Sequence, residues 1–146
     1  MAKTKAHTAY KLKDGTRVKG VTTILNNLGW NKNVLVAWAR RTALAGDDPD
    51  AVLKEAGAIG TLAHYLCECD IKGVKADTED YSAEQIEKAE NAFLGYLEWK
   101  KMTKPKYEAI ELKMVSEKYK VGGTADFIAR INGSLVLGDF KTSKGI

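Results

Sequence analysis

The spacing of apolar residues changes from helical before about residue 104 to alternating after it. The run Ser82-Ala83-Glu84-Gln85 matches a capping box and predicts the start of a long helix, with apolar residues at helical spacing to about Met102. Pro105 closes this helix. Residues 107–115 then alternate between apolar and polar side chains, which predicts a strand. The order of elements indicates an α+β chain.

Shorter elements are predicted before residue 82. They begin with a small hairpin from residues 10–12 and 17–19 around Asp14-Gly15, and a helix capped by Thr22 or Thr23 that ends at Gly29. They continue with a helix that opens at Asn33, and a helix from Pro49 through residue 71 with a break near Gly57 or Gly60. The helical region therefore spans about residues 22–104.

The last part of the chain predicts a β-hairpin. Asn132-Gly133 is the strongest two-residue turn signal, and residues 123–131 and 134–141 read as the flanking strands. If these two residues form the whole turn, Asp126 lies opposite Asp139, with Cβ atoms about 4.5–5.5 Å apart. Two like charges so placed need a counter-charge. Lys141 shares the face of Asp139, and a divalent cation is the other candidate.

This register also sorts the hairpin into two faces. One is apolar or small throughout and should pack under a second layer, for which the helix from Ser82 is the candidate; it contains Ala125, Phe127, Ala129, Ile131, Val136, Gly138 and Phe140. The other is apolar in the middle and charged at one end; it contains Thr124, Asp126, Ile128, Arg130, Leu135, Leu137, Asp139 and Lys141. The second face fits either an active site at the edge of a small core or a solvated charged surface.

Composition is that of an ordinary globular domain, and we expect a single domain over residues 1–146. The net charge of +4 suits a polyanionic partner without proving one. Cys67 and Cys69 stand two apart on a predicted helix and should be free thiols in a reducing compartment. No apolar run is long enough to span a membrane, and the N-terminus has no secretion signal.

Three segments together resemble one family. Gly123-Thr124-Ala125-Asp126, a short hairpin and Asp139-Phe140-Lys141-Thr142 resemble motifs II and III of the PD-(D/E)XK nucleases, in their RecB-like and phage exonuclease branch. Gly60-Thr61-Leu62-Ala63-His64 resembles the G-T-x-x-H of an upstream helix in that branch. The segment Lys19 to Leu25 resembles the opening of phage members, with Gly20 in place of the usual serine. The resemblance covers about residues 10–146.

The resemblance implies a restriction-endonuclease-like core whose catalytic sheet spans about residues 106–146. Its implied function is Mg²⁺- or Mn²⁺-dependent hydrolysis of DNA, in the cytoplasm of a bacterium or a phage-infected cell. The implied roles are as follows: catalysis by Asp126, Asp139 and Lys141; metal ligation by His64, Asp126, Asp139 and the Phe140 carbonyl; support by Glu68 and Glu117; and contact with the DNA backbone by Thr142, Ser143 and Lys144. Some relatives hold an iron–sulfur cluster on four cysteines, and two cysteines are too few for one here.

Other interpretations remain open at this point. His64 can be a structural helix residue, and Glu68 a solvated carboxylate on the same helix face. The chain can be a catalytically silent DNA-binding or assembly module that keeps the nuclease fold, which the intact Asp126, Asp139 and Lys141 argue against. A metal-dependent phosphatase or other hydrolase would call for more carboxylates or histidines, and the chain has only His7 and His64.

The family core continues beyond the strand that carries Lys141, with a further helix and strand. Only five residues follow Lys141 here, so the expectation is a truncated nuclease. An unpaired sheet edge beside Lys141 would recruit other strands. We therefore expect self-association, or a partner that completes the missing segment.

Overall fold

The computed structural model describes residues 9–29 and 32–142. These residues form an α+β fold with a mixed sheet, which confirms the predicted class. The elements are β1 (Tyr10–Lys11), β2 (Arg17–Gly20), α1 (Val21–Leu28), α2 (Lys32–Leu44), α3 (Pro49–Lys72), α4 (Ala83–Thr103), β3 (Lys106–Ser116), β4 (Val121–Ile131) and β5 (Ser134–Gly138). Within the described ranges, no helix has the length and apolar character needed to cross a membrane.

The described residues fall into two compact units. The site unit combines residues 55–112 with 125–142, and the N-terminal unit combines residues 9–29 and 32–54 with 113–124. Both β3 and β4 run through a boundary between the units, as does α3 near its start. Each unit has its own packing.

The N-terminal unit is organised around the first hairpin. β1 pairs antiparallel with β2 as predicted, and β2 then pairs in parallel with the first residues of β4. The Tyr10 ring lies over Gly122, where an added Cβ would come within 2.2 Å of the ring. The Tyr10 hydroxyl is 2.9 Å from the Thr124 hydroxyl. Gly122 is therefore required so that the tyrosine can cover the start of β4.

Two helix predictions are wrong in detail. The N-cap of α1 is Gly20, without a side-chain cap, so neither Thr22 nor Thr23 caps the helix. α3 continues unbroken through Gly57 and Gly60, because a helical glycine costs only about 1 kcal/mol relative to alanine and its neighbours are good helix formers. The left-handed Gly29 at the end of α1 and the capping box of Ser82 and Gln85 are confirmed.

The hairpin of the site unit has the predicted register. Ile131 pairs with Ser134, and the pairing continues without a slip to Phe127 and Gly138. Asn132 and Gly133 have φ values of 50° and 81°. Positive φ at both central residues is the type I′ geometry that matches the twist of the strands. The turn therefore sets the alignment of the two strands, as the sequence predicted.

The apolar hairpin face packs against α4, which confirms the predicted second layer. Ala125, Phe127 and Ala129 are buried. The Phe127 ring centroid lies 5.6 Å from that of Trp99 and 5.0 Å from that of Phe140. Aromatic rings at these separations add about 0.5–1.5 kcal/mol per pair beyond burial alone. This packing fixes the end of the hairpin that carries the two aspartates.

Gly138 should be essential to this packing. A Cβ at Gly138 would lie 1.9 Å from Cζ of Phe127, so Gly138→Ala must displace the ring. Overpacking of this kind costs about 1–3 kcal/mol, and we expect a loss of that size in the free energy of unfolding by urea denaturation. Gly123→Ala, also on a strand, is the control, since its Cβ would make an ordinary 3.6 Å contact with Val21. Equal stability of the two variants would contradict the packing argument.

Candidate functional site

Asp126 and Asp139 lie at the same end of the hairpin, one within a strand and the other just after one. Asp126 lies within β4, whereas β5 ends at Gly138, one residue before Asp139. The two residues are next in register after the last ladder pair, Phe127 and Gly138. In place of a further ladder bond, the backbone N–H of Phe140 donates to Oδ2 of Asp126 at 2.6 Å. The side chain of Asp126 thus holds the chain where β5 ends.

Helix α3 brings His64 to this carboxylate. The His64 Nδ1 atom lies 3.6 Å from Oδ2 of Asp126, and the side chains are 32% and 15% exposed. The imidazole also meets the Phe140 ring edge-on, with centroids 5.8 Å apart. The predicted proximity of His64 and Asp126 is therefore present, in a half-buried setting that solvent still reaches.

Asp139 and Lys141 form the outer part of the site. Their Oδ2 and Nζ atoms are 2.8 Å apart, and the side chains are 56% and 79% exposed. An exposed ion pair contributes about 0–1 kcal/mol, so this contact can exchange for another at little cost. Lys141 therefore acts as the counter-charge of Asp139, as predicted. The predicted return strand over residues 134–141 is wrong at its end, since β5 stops at Gly138 and neither residue lies on a strand.

Two further carboxylates lie near the site. Glu68, one turn after His64, is ion-paired with Lys72 on α3. Glu111, on β3, has a raised pKa, first because its carboxyl is partly removed from water and then because Asp126 and Glu68 repel its charge, while His64 and Lys72 oppose the shift. Glu111 has left-handed backbone, with φ of 51°. No pattern in the sequence predicts this conformation. In the sequence, Glu111 is only one carboxylate inside the alternating run of residues 107–115.

The remaining predicted residues are divided between the units. Thr142 approaches α3, where a Cβ added at Gly60 would lie 3.2 Å from its hydroxyl. The glycine of the G-T-x-x-H segment thus makes room for the chain after Lys141. Glu117 belongs to the N-terminal unit and accepts a 2.8 Å hydrogen bond from the N–H of Lys13. Ser143 and Lys144 lie outside the described residues.

A hydrogen-bonded network lies behind the site. Oδ2 of Asp70 accepts from the Tyr96 hydroxyl at 2.8 Å and from Lys100 Nζ at 2.6 Å. The Tyr96 ring in turn meets Phe140 edge-on, with centroids 5.4 Å apart. The network ties α3 to α4 and supports the residue that bonds to Asp126.

Cys67 and Cys69 are free thiols, as the sequence predicted, and both are buried. Burial, with smaller contributions from Asp70 and Asp126, raises the pKa of Cys67 to about 12. A thiol with so high a pKa is almost wholly protonated near neutral pH. Cys67 is therefore a packing residue of the site wall rather than a nucleophile.

The donor set can be tested against a divalent cation. Nδ1 of His64 and Oδ2 of Asp126 are near enough to share an ion, whose bonds to such ligands are about 2.0–2.2 Å long. Asp139 would join them by leaving Lys141. Across residues 9–29 and 32–142, no three His, Cys, Asp or Glu side chains are arranged to hold a metal as they stand. His64 and Asp126 thus provide two suitable ligands, and a third is not in place among the described residues.

Comparisons with known proteins leave the site to be interpreted from its own residues. No protein family, no curated protein and no solved structure matches this chain. What the chain does must therefore be inferred from the chemistry of the residues that the hairpin and α3 bring together.

Proposed function

We propose that the chain is a Mg²⁺- or Mn²⁺-dependent deoxyribonuclease of the phage exonuclease type, with a restriction-endonuclease-like core. The observation that carries the proposal is the approach of His64 to Asp126 at the end of a hairpin whose other strand leads directly to Asp139 and Lys141. The register puts both carboxylates beyond the same ladder pair. His64 is thereby close to Asp126, and Lys141 is close to Asp139.

Each residue has a role suited to its setting. His64, Asp126, Asp139 and the Phe140 carbonyl would hold the metal, which would supply polarisation of the scissile phosphate and a more acidic bound water. The Phe140 N–H fixes the orientation of Asp126 through their 2.6 Å hydrogen bond. The exposed Lys141 ammonium would stabilise the negative charge that grows on the phosphate oxygens during hydrolysis. Glu68 and Glu111 add negative potential that favours binding of a cation.

The charge of the chain supports the proposed substrate class. The chain carries a net charge of +4, which favours a polyanion. The Thr142 hydroxyl beside Lys141 can donate to a backbone phosphate, and Ser143 and Lys144 would extend that contact. We therefore propose DNA as the partner, encountered in the cytoplasm, where free cysteines stay reduced.

The direct test is cleavage of linear DNA. The purified chain should degrade it in Mn²⁺ or Mg²⁺ and should stop when excess EDTA is added. An Asp126→Asn protein prepared in parallel controls for a contaminating nuclease. Absence of cleavage in either metal, with the chain shown to be folded, would contradict the proposal.

A second function is favoured by a specific observation. Among the described residues, Asp139 is paired with Lys141 and no three side chains are arranged to hold a metal. A silent DNA-binding or assembly module needs no such arrangement. Such a module would retard DNA in a gel with or without metal and leave it intact. The same preparations therefore distinguish the two functions.

A further inference from the structure

A cavity of about 540 Å³ opens beside the site, between α3, α4 and the segment from Val136 to Thr142. This volume lies within the range of about 300–1,000 Å³ that is typical of small-ligand pockets. The cavity belongs wholly to the site unit. It adjoins His64 and Asp139 but is lined mainly by residues for which the proposed hydrolysis has no use.

The interior of the cavity is aromatic. Four rings, those of Tyr96, Trp99, Phe127 and Phe140, line it and contact one another at centroid distances of 5.0–6.2 Å. The Tyr96 hydroxyl is already bonded to Asp70 and lies 3.1 Å from that of Tyr107. Because Tyr96 and Phe127 are buried, the half-buried rings of Trp99 and Phe140 supply the aromatic surface that a ligand can reach. An interior of this kind selects a flat, largely apolar ligand.

Four polar residues also line the cavity, namely His64, Asp139, Lys141 and Thr142. His64 is half-buried and the other three are exposed, and these residues are the ones suited to meet a phosphate and a cation. A ligand that fills both regions has a flat ring system at one end and an anionic group at the other. A nucleotide has this form.

We propose that the cavity receives the unpaired base of a nucleotide at a DNA strand end, while its phosphate lies at Asp139 and Lys141. This inference rests on the proposed function and specifies its substrate as single-stranded or frayed ends. A base within a duplex is paired and stacked, and extruding it has an energetic cost. Stacking of one free base on aromatic side chains tightens binding about 5- to 150-fold, so an end that is already unpaired is favoured.

Gly95 on α4 is a position where a substitution can alter the cavity without changing a residue of the proposed metal site. It lines the cavity, and a Cβ added there would meet nothing within 4 Å. Gly95→Leu should therefore fill the space, and leucine is a better helix former than glycine. Gly95→Ala is the small control. Gly57→Leu is the matched control, because Gly57 is also an exposed helical glycine with open space around it, and it does not line the cavity.

The experiment measures binding with cleavage switched off. Fluorescence anisotropy in EDTA follows a short labelled single-stranded oligonucleotide and two copies that lack only the 5′-terminal or only the 3′-terminal base. For the unaltered chain, loss of the base at the recognised end should weaken binding about tenfold, as expected for a stacking contribution near 1.4 kcal/mol. Gly95→Leu should bind the intact oligonucleotide about tenfold more weakly and be insensitive to the missing base. Gly95→Ala and Gly57→Leu should behave like the unaltered chain.

The outcomes separate this inference from the proposed function. Equal affinity of the unaltered chain for all three oligonucleotides overturns the base-binding cavity, whether or not the chain cuts DNA, and this result needs no variant to fold. Sensitivity to a terminal base together with an absence of metal-dependent cleavage supports the cavity and overturns the nuclease. Sensitivity that persists in Gly95→Leu shows that the base binds elsewhere.

Discussion

Replacing Asp126 by asparagine is expected to abolish both the stabilisation that Mn²⁺ confers and the cleavage of DNA. For the unaltered chain, Mn²⁺ at about a hundred times its Kd should stabilise the fold by about 2.7 kcal/mol, which raises Tm by about 5–10 °C in a chain of this size. The Asp126→Asn side chain loses the charge but keeps an oxygen that can accept the Phe140 N–H, so the fold should survive. Thermal scans with and without Mn²⁺, and the linear-DNA assay, measure the two effects.

Asp80→Asn is the control for the loss of one negative charge. Asp80 is exposed, before the capping box of α4, and lies outside the site. The Asp80→Asn protein should keep the full Mn²⁺-induced rise in Tm and the full cleavage rate. An Asp126→Asn protein that is stabilised by Mn²⁺ as strongly as Asp80→Asn would remove Asp126 from the metal site.

Lys141→Ala is expected to slow cleavage strongly without weakening metal binding. Asp139 now shares its Oδ2 with the lysine ammonium at 2.8 Å, so removing the ammonium frees this carboxylate for a cation, and Mn²⁺ affinity should stay equal or increase. Cleavage should fall about 10²–10³-fold, the usual cost of removing one group that stabilises transition-state charge. Mn²⁺ titration by calorimetry and single-turnover cleavage measure the two quantities.

Lys101→Ala removes the same charge from an exposed position on α4. It should leave both quantities unchanged within about twofold, because an exposed charge away from the site acts on it only through a screened field. Cleavage by Lys141→Ala at the rate of Lys101→Ala would show that the lysine has no catalytic part. A large loss of Mn²⁺ affinity in Lys141→Ala would show that the ion pair with Asp139 does not compete with the metal.

Local signals with a defined geometry predicted the parts of the fold that they control. Asn132-Gly133 allowed the strand register to be counted, and Ser82 with Gln85 located the start of α4. The apolar hairpin face and its cover followed from alternation alone. These predictions succeeded because each depends on residues that are adjacent in sequence or across one turn.

Other features depend on contacts that the sequence does not show. β5 ends before Asp139 because the Phe140 N–H bonds to a side chain instead of a strand. Glu111 itself has left-handed backbone inside β3, and its carboxyl is close enough to Asp126 for the two charges to repel. The aromatic cavity combines residues from α3, α4 and the end of the hairpin. Sequence reasoning found the chemically distinctive residues but not the surface that surrounds them.

The length of the two-residue turn at Asn132-Gly133 determines which way the side chains of distant residues face. About six residues, or roughly 20 Å of strand, separate it from Asp126. Because side chains alternate, one residue inserted into this turn would shift the pairing by one position and turn the returning strand over. Phe140 would exchange places with its charged neighbours, although no residue of the site had changed. Loops usually tolerate insertions and deletions well, yet this one should accept substitution far more readily than a change in length.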